Sequence, residues 1–357
     1  MQGSFRILGL LGAAVLLAAA APPKLGEIKT FGDWAVGCDN LLRCEMVSLL
    51  PDGAAGEAYD GPVAISRGAG RDDVPVVRVS TDARGQDRFN LIIDGRVAET
   101  GTVVEGDYPI ILEGAEATSI LRPIANGRSM TIEGSTGAVL TVASLKGSAA
   151  AMRYIDAKQR RAGTSSALFA KGKRRFRPPV LNLPLIAVAK YEATEAVPEA
   201  NKIVSLIESS ECKDERFDVT EDRAYPLGRH DGVDMALVLV SCGAGAYNFS
   251  SMPFIGTRAA GEDWRFTPAT FDVRPGWGAE DDAAPMLVNV GWDPKSHRLS
   301  SFTKGRGLGD CGASEDFVWD GAMFRLISAS AMPECRGSYR WISVWSAKVA
   351  PATEAAP

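Results

Sequence analysis

The sequence predicts a mainly β protein: two antiparallel β domains, sandwich or barrel-like, with a few short helices and disulfide staples. Three observations carry this. Short runs rich in Val, Ile and Leu recur between turn dipeptides, which is the pattern of strands in an all-β domain. Glycine is abundant, 37 of 357 residues, and only 8% of residues are aromatic, so turns are favoured over long helical bundles. Six cysteines, an even number, stand in a chain that opens with an export leader.

The leader comes first. Arg6 is followed by an apolar run over residues 7–17 (ILGLLGAAVLL) and then by small residues and Pro22. A positive start, a short apolar core and small residues make a secretory signal peptide over residues 1–20, with cleavage after Ala20. The run is short for a membrane anchor, which needs about 20 apolar residues, and no stable span is expected after processing. The expected location is the periplasm or the cell exterior.

In that compartment Cys38, Cys44, Cys212, Cys242, Cys311 and Cys335 are expected to be oxidised. Of the roughly fifteen pairings that six cysteines allow, the sequential one is chosen: Cys38–Cys44, Cys212–Cys242 and Cys311–Cys335, because it closes short loops. Zinc is disfavoured: no C-x-x-C occurs, and neither of the two histidines, His230 and His297, lies near a cysteine.

An N-terminal β domain is read over residues 21–164. Strands are predicted over 31–37 (FGDWAVG), 62–66, 74–80, 89–93, 109–112, 129–133 and 139–145, with Asp94-Gly95 and Asn126-Gly127 as tight turns. Residues 148–161 predict a helix capped by Ser148 and stopped by Gly163. Residues 165–182 hold five basic and no acidic residues and read as a basic, Pro-containing linker, a solvated strap between two acidic bodies of net charge −3 and −8.

A C-terminal Trp-rich β domain follows over residues 183–350, then a flexible tail, 351–357. A helix is predicted over 198–209, and residues 236–242 (ALVLVSC) form a near-continuous apolar run that predicts a central strand. Further strands are expected over 247–255, 264–273, 286–292, 299–303, 317–319, 323–328 and 341–347, with hairpin turns at 293–296 and Asp320-Gly321. Six of the seven tryptophans lie in this half, which fits the packing of twisted sheets.

Motifs for chemistry are weak. Residues 307–312 (GLGDCG) match G-x-G-x-x-G, but no helix pattern follows and a cysteine sits inside the match, so no dinucleotide cofactor is expected. Two S-x-x-K spacings, at Ser210 and Ser301, lack the helix that the Ser–Lys chemistry needs. Glu280-Asp281-Asp282 lacks the spaced oxygens of a calcium loop. The net charge of −5 gives no footprint for nucleic acid. No catalytic residue, metal or cofactor is assigned.

Several C-terminal strings resemble a bacterial exported family, domain of unknown function 1176. They are Cys242-Gly-Ala-Gly-Ala-Tyr247-Asn248, residues 299–302 (LSSF), 304–312 (KGRGLGDCG), Trp319-Asp320-Gly321 with Phe324, and residues 334–337 (ECRG). The helical residues 150–161 fit too, so the likeness spans nearly the whole mature chain. The opening FGDW with Cys38 and Cys44 resembles, more weakly, invasion-associated locus B proteins. The resemblance implies an envelope location and disulfides, and no catalytic residues.

The function read from the sequence is a non-enzymatic binding or envelope-interaction module, its partner an unknown envelope protein or polymer. Tyr247, Asn248, Lys304, Arg306 and Asp310 are the candidate contact surface. The rival is a hydrolase of envelope polymers using Asp310, Glu315 or Asp316. A third possibility is an inhibitor of a secreted hydrolase.

Overall fold

The computed structural model describes residues 22–54, 62–214, 223–276 and 284–351. The expected leader with Ala20, the acidic run 280–282, Trp277 and the last six residues of the expected tail lie outside them.

Ten strands build the N-terminal half: β1 (Ile28–Phe31), β2 (Trp34–Cys38), β3 (Cys44–Ser48), β4 (Val63–Arg67), β5 (Val76–Val79), β6 (Arg88–Ile93), β7 (Arg96–Thr102), β8 (Ile110–Glu113), β9 (Ser129–Gly134) and β10 (Val139–Ser144). They pair antiparallel in two open sheets, ordered β1-β2-β3-β4-β5-β8 and β10-β9-β6-β7. Alternation sets the inward faces: Phe89, Leu91 and Ile93 point into the core. Asp94 and Gly95, both at positive φ (48° and 78°), turn β6 into β7.

Two helices complete this half, α1 (Gly114–Asn126) and α2 (Ser148–Lys158). Ala117, Ile120, Leu121 and Ile124 share one face of α1, and with Met152 and Ile155 of α2 they join Trp34, Met46, Ile65 and Leu91 in one core.

Three details of this half differ from the sequence expectations. Residues 31–37 are not one strand, because Gly32 at φ 58° turns β1 back as β2. α1, β3 and β7 were not foreseen. Ser148 does not cap α2: Gly147 stands at the N-cap, and the Ser148 hydroxyl donates 3.0 Å to the Ile124 carbonyl of α1.

The C-terminal half contains β11 (Leu185–Val188), α3 (Ala200–Glu208), a 3-10 turn (Glu211–Asp214), β12 (Arg223–His230), β13 (Val233–Ala244), β14 (Phe249–Ala259), β15 (Arg265–Pro268), β16 (Leu287–Val288), β17 (Gly291–Asp293), β18 (Arg298–Lys304), β19 (Gly312–Trp319), β20 (Phe324–Met332), β21 (Ile342–Ser346) and β22 (Lys348–Pro351). β12-β13-β14-β15 form one antiparallel sheet, with β16 beside β14, and β17 to β21 form a meander. The two sheets close a sandwich over Leu237, Leu239, Ile255, Leu299, Phe317 and Phe324. α3 covers the other face of β13 and β14 through Leu206 and Ile207. β13 is therefore buried on both sides, which is why its sequence lacks alternation.

The halves meet over a buried apolar seam: Ala35, Val47, Leu49 and Ala64 pack on Cys311, Met332 and Ile342. Three disulfides, Cys38–Cys44, Cys212–Cys242 and Cys311–Cys335, link cysteines that are neighbours in sequence order. Among the described residues no helix is long and apolar enough to cross a membrane.

Candidate functional site

The string 304–312 is a hairpin connection. β18 and β19 pair through Lys304 and Gly312, and Gly305 N–H donates 2.8 Å to the Cys311 carbonyl. Gly309 (φ 72°) and Gly312 (φ 141°) take up the left-handed backbone. Side-chain bulk is also excluded at Gly312, where a Cβ would lie 1.9 Å from the Thr303 carbonyl oxygen.

Inside this loop Arg306 and Asp310 bind each other. Asp310 is fully buried; its carboxylate accepts from Arg306 Nε at 2.7 Å, from Arg306 Nη2, and from Gly337 N–H at 2.6 Å. Burial favours its neutral form, but the Arg306 pair and the Gly337 N–H outweigh that and hold the carboxyl below its usual range. Asp310 is a latch: with the Cys311–Cys335 bridge it clamps the hairpin onto residues 335–337.

Tyr247 and Asn248 meet the same hairpin. Asn248 Nδ2 donates 2.9 Å to the Lys304 carbonyl, and Lys304 N–H donates 3.1 Å to Asn248 Oδ1. Asn289 Nδ2 donates to the Tyr247 and Phe302 carbonyls and to Asn248 Oδ1. The Tyr247 ring runs beside Gly307, where a Cβ would come 3.5 Å from it. All five residues singled out in the sequence thus converge. Asp310 and the Asn248 amide face protein groups, and Arg306 spends its guanidinium on Asp310.

Beside the exposed Leu308 of the hairpin, the region exposes two aromatic residues that the sequence reading did not assign to the contact surface. Phe302 points out of β18 and stacks on Trp341, with ring centroids 4.8 Å apart and planes 6° from parallel. Tyr339 is 54% exposed and Phe302 37%. Phe302 had a signal: it is apolar at an outward position beside buried Ser301. Tyr339 had none.

Next to Tyr339 opens a groove of about 740 Å³ lined by Ser80, Thr81, Asp82, Asp107, Tyr108 and Arg340. Arg340 fixes its wall. Arg340 Nε donates 2.7 Å to Glu45 Oε1, Nη1 donates to the Tyr108 hydroxyl, and the guanidinium lies 5.0 Å from the Tyr108 ring centre. Tyr108 comes from the N-terminal half and Tyr339 and Arg340 from the C-terminal half, so neither half makes the groove alone. Hydrogen bonds from Arg84 hold the Asp82 carboxyl down at about 2, which keeps one rim charged.

The carboxylates considered for hydrolysis are apportioned to different partners. Glu315 points between the two sheets of the sandwich and, among the described residues, accepts Gly276 N–H at 3.1 Å and 3.2 Å. Burial pushes its pKa up to about 7. Asp316, next on the strand, faces the opposite side and holds Arg298 and Ser328. His230 is exposed beside Asp231, and His297 sits in the β17–β18 turn at φ 52°. Among the described residues no three His, Cys, Asp or Glu side chains gather as a metal site.

The chain is 29% identical over 369 residues to the uncharacterized protein YpfG of Escherichia coli (strain K12), covering 96% of this chain and 99% of that one. Among solved structures, invasion associated protein B from Bartonella henselae is aligned over 38% of this chain and 99% of its own, at 16% identity and a TM-score of 0.29. Residues 28–348 match the family described as protein of unknown function (DUF1176), and the chain belongs to that family.

Proposed function

We propose that this protein is a non-enzymatic binding module of the bacterial envelope, acting in the periplasm or outside the cell. Its two domains, 21–164 and 183–350, form one contact face with the Tyr247–Asn248 and Lys304–Asp310 loops at its centre. The observation that carries this reading is exposed Phe302, stacked on half-buried Trp341, together with exposed Tyr339, set beside the groove that both halves wall. Rigid aromatic surface and a fixed arginine beside a polar rim suit recognition of an envelope protein or polymer. Three disulfides and the apolar leader of the sequence support export.

The test compares the tagged mature protein with a Phe302→Ala/Tyr339→Ala variant in retention from solubilised envelope extract. A component held by the parent and lost by the variant, with unfolding curves unchanged, is the expected result. Equal recovery by both proteins overturns the assignment of this face.

A further inference from the structure

The basic segment after α2 is anchored. The buried Asp156 carboxylate accepts N–H groups from Leu168 (2.6 Å), Phe169 (3.0 Å) and Ala170 (3.0 Å), and Arg67 Nη2 at 3.1 Å. Gly172 N–H donates to the Thr164 carbonyl and Arg174 N–H to the Gly163 carbonyl. Phe176 is buried under the Arg161 guanidinium, 3.8 Å from its ring centre. The loop is held in a single shape from the inside, while Lys171, Lys173, Arg175 and Arg177 all face outward. Among the described residues none of these four has a carboxylate partner.

An acidic protein, net −5, thus concentrates unpaired positive charge at one fixed place. The next residues are exposed and apolar: Val180 is 94% accessible, Leu183 44% and Leu185 66%. Isolated exposed aliphatics are ordinary, but here they run together directly after the cations. A polar polyanion such as a polysaccharide engages cations and leaves such residues in water. A bilayer engages both: headgroup phosphates take the Lys and Arg charges, and the headgroup–acyl boundary takes the aliphatic side chains.

We propose that residues 171–185 dock this protein on the surface of an anionic lipid bilayer, with Lys171, Lys173, Arg175 and Arg177 on the phosphates and Val180, Leu183 and Leu185 at the acyl boundary. The acidic remainder of each half is repelled by the same surface, so the segment also fixes the orientation of the molecule on it. This docking is independent of the aromatic face.

The test is co-sedimentation of the full mature chain with vesicles of phosphatidylcholine, with and without phosphatidylglycerol. The parent is expected to pellet only with the anionic vesicles, and to be released by salt. Lys171→Gln/Lys173→Gln/Arg175→Gln is expected to lower partitioning about a hundredfold, and Val180→Ser/Leu183→Ser to lower it about tenfold. The Phe302→Ala/Tyr339→Ala variant should pellet like the parent, which separates this proposal from the one above. No pelleting by the parent with anionic vesicles overturns the proposal. So does binding that the Val180→Ser/Leu183→Ser variant retains in full and that soluble polyphosphate abolishes, because the site then recognises a polyanion and not a bilayer.

Discussion

Arg336 and Asp33, 303 residues apart in sequence, form a buried ion pair at the seam between the two halves. Arg336 also donates to the Leu50 carbonyl (2.7 Å) and the Gly32 carbonyl (3.0 Å), and Asp33 accepts the Ser144 hydroxyl at 2.6 Å. Arg336→Ala leaves the Asp33 carboxylate buried without its countercharge and two carbonyls without donors. The expected loss is about 3–5 kcal/mol, read as a lower urea midpoint. A loss under about 1 kcal/mol, the worth of a surface pair, would contradict this picture of the seam.

The Cys311–Cys335 bridge closes a 24-residue separation and pins the hairpin that carries Asp310. Cys311→Ser/Cys335→Ser removes that constraint from the unfolded chain, and the expected destabilisation is about 3.5 kcal/mol. Because the bridge also aligns residues 335–337 with the latch, the double variant should show faster amide exchange at Gly337. Unchanged exchange there would mean that the Arg306–Asp310 pair holds the hairpin by itself.

Glu315 gives the protein a defined pH response. Burial raises its pKa from an ordinary 4.5 to about 7. Below pH 4.5 folded and unfolded chains both keep the proton. Between 4.5 and about 7 the unfolded chain releases it while the folded chain retains it, so this group's contribution falls as pH rises, and it is level above about 7. The total is about 3 kcal/mol. Glu315→Gln keeps a neutral side chain that still accepts Gly276 N–H. It is expected to flatten this part of the stability–pH curve and to be more stable than the parent at pH above about 7.

Asp156→Ala removes the acceptor of three backbone N–H groups and the countercharge of buried Arg67, whose pKa burial and the nearby Arg161 pull down to about 10. The expected loss is about 3–5 kcal/mol. The local effect is more diagnostic: trypsin should cut at Lys171–Arg177 faster in the variant while other sites keep their order. An unchanged cleavage rate would assign the fixed loop to Phe176 instead.

Much of the fold was legible because local pattern and tertiary packing agreed. The apolar run of β13 declared a strand buried on both faces, and Asp94-Gly95 declared a hairpin. α1 was illegible for a physical reason. It begins at Gly114, contains Pro123 and has no side-chain cap, so local propensity opposes it, and its apolar face is stabilised by packing on the rest of the core. The site divided the same way. The hairpin residues and the cysteines stand out in sequence because glycine and cysteine have few other uses at such spacing. The contact of Arg340 with Tyr108 spans 232 residues, and nothing local to either predicts it.

The seam has a temporal consequence. Gly26 N–H donates to the Val344 carbonyl, the Asn40 amide exchanges two hydrogen bonds with Ser346, and Ile342 covers Ala35 and Val47. Strands β1 and β2 are therefore capped by β21, about 300 residues later in synthesis. At about 5–20 residues per second the interval between them is about 15–60 s. Throughout that interval the growing polypeptide has an incomplete core, so its N-terminal sheet keeps an uncovered apolar edge until the last strands arrive.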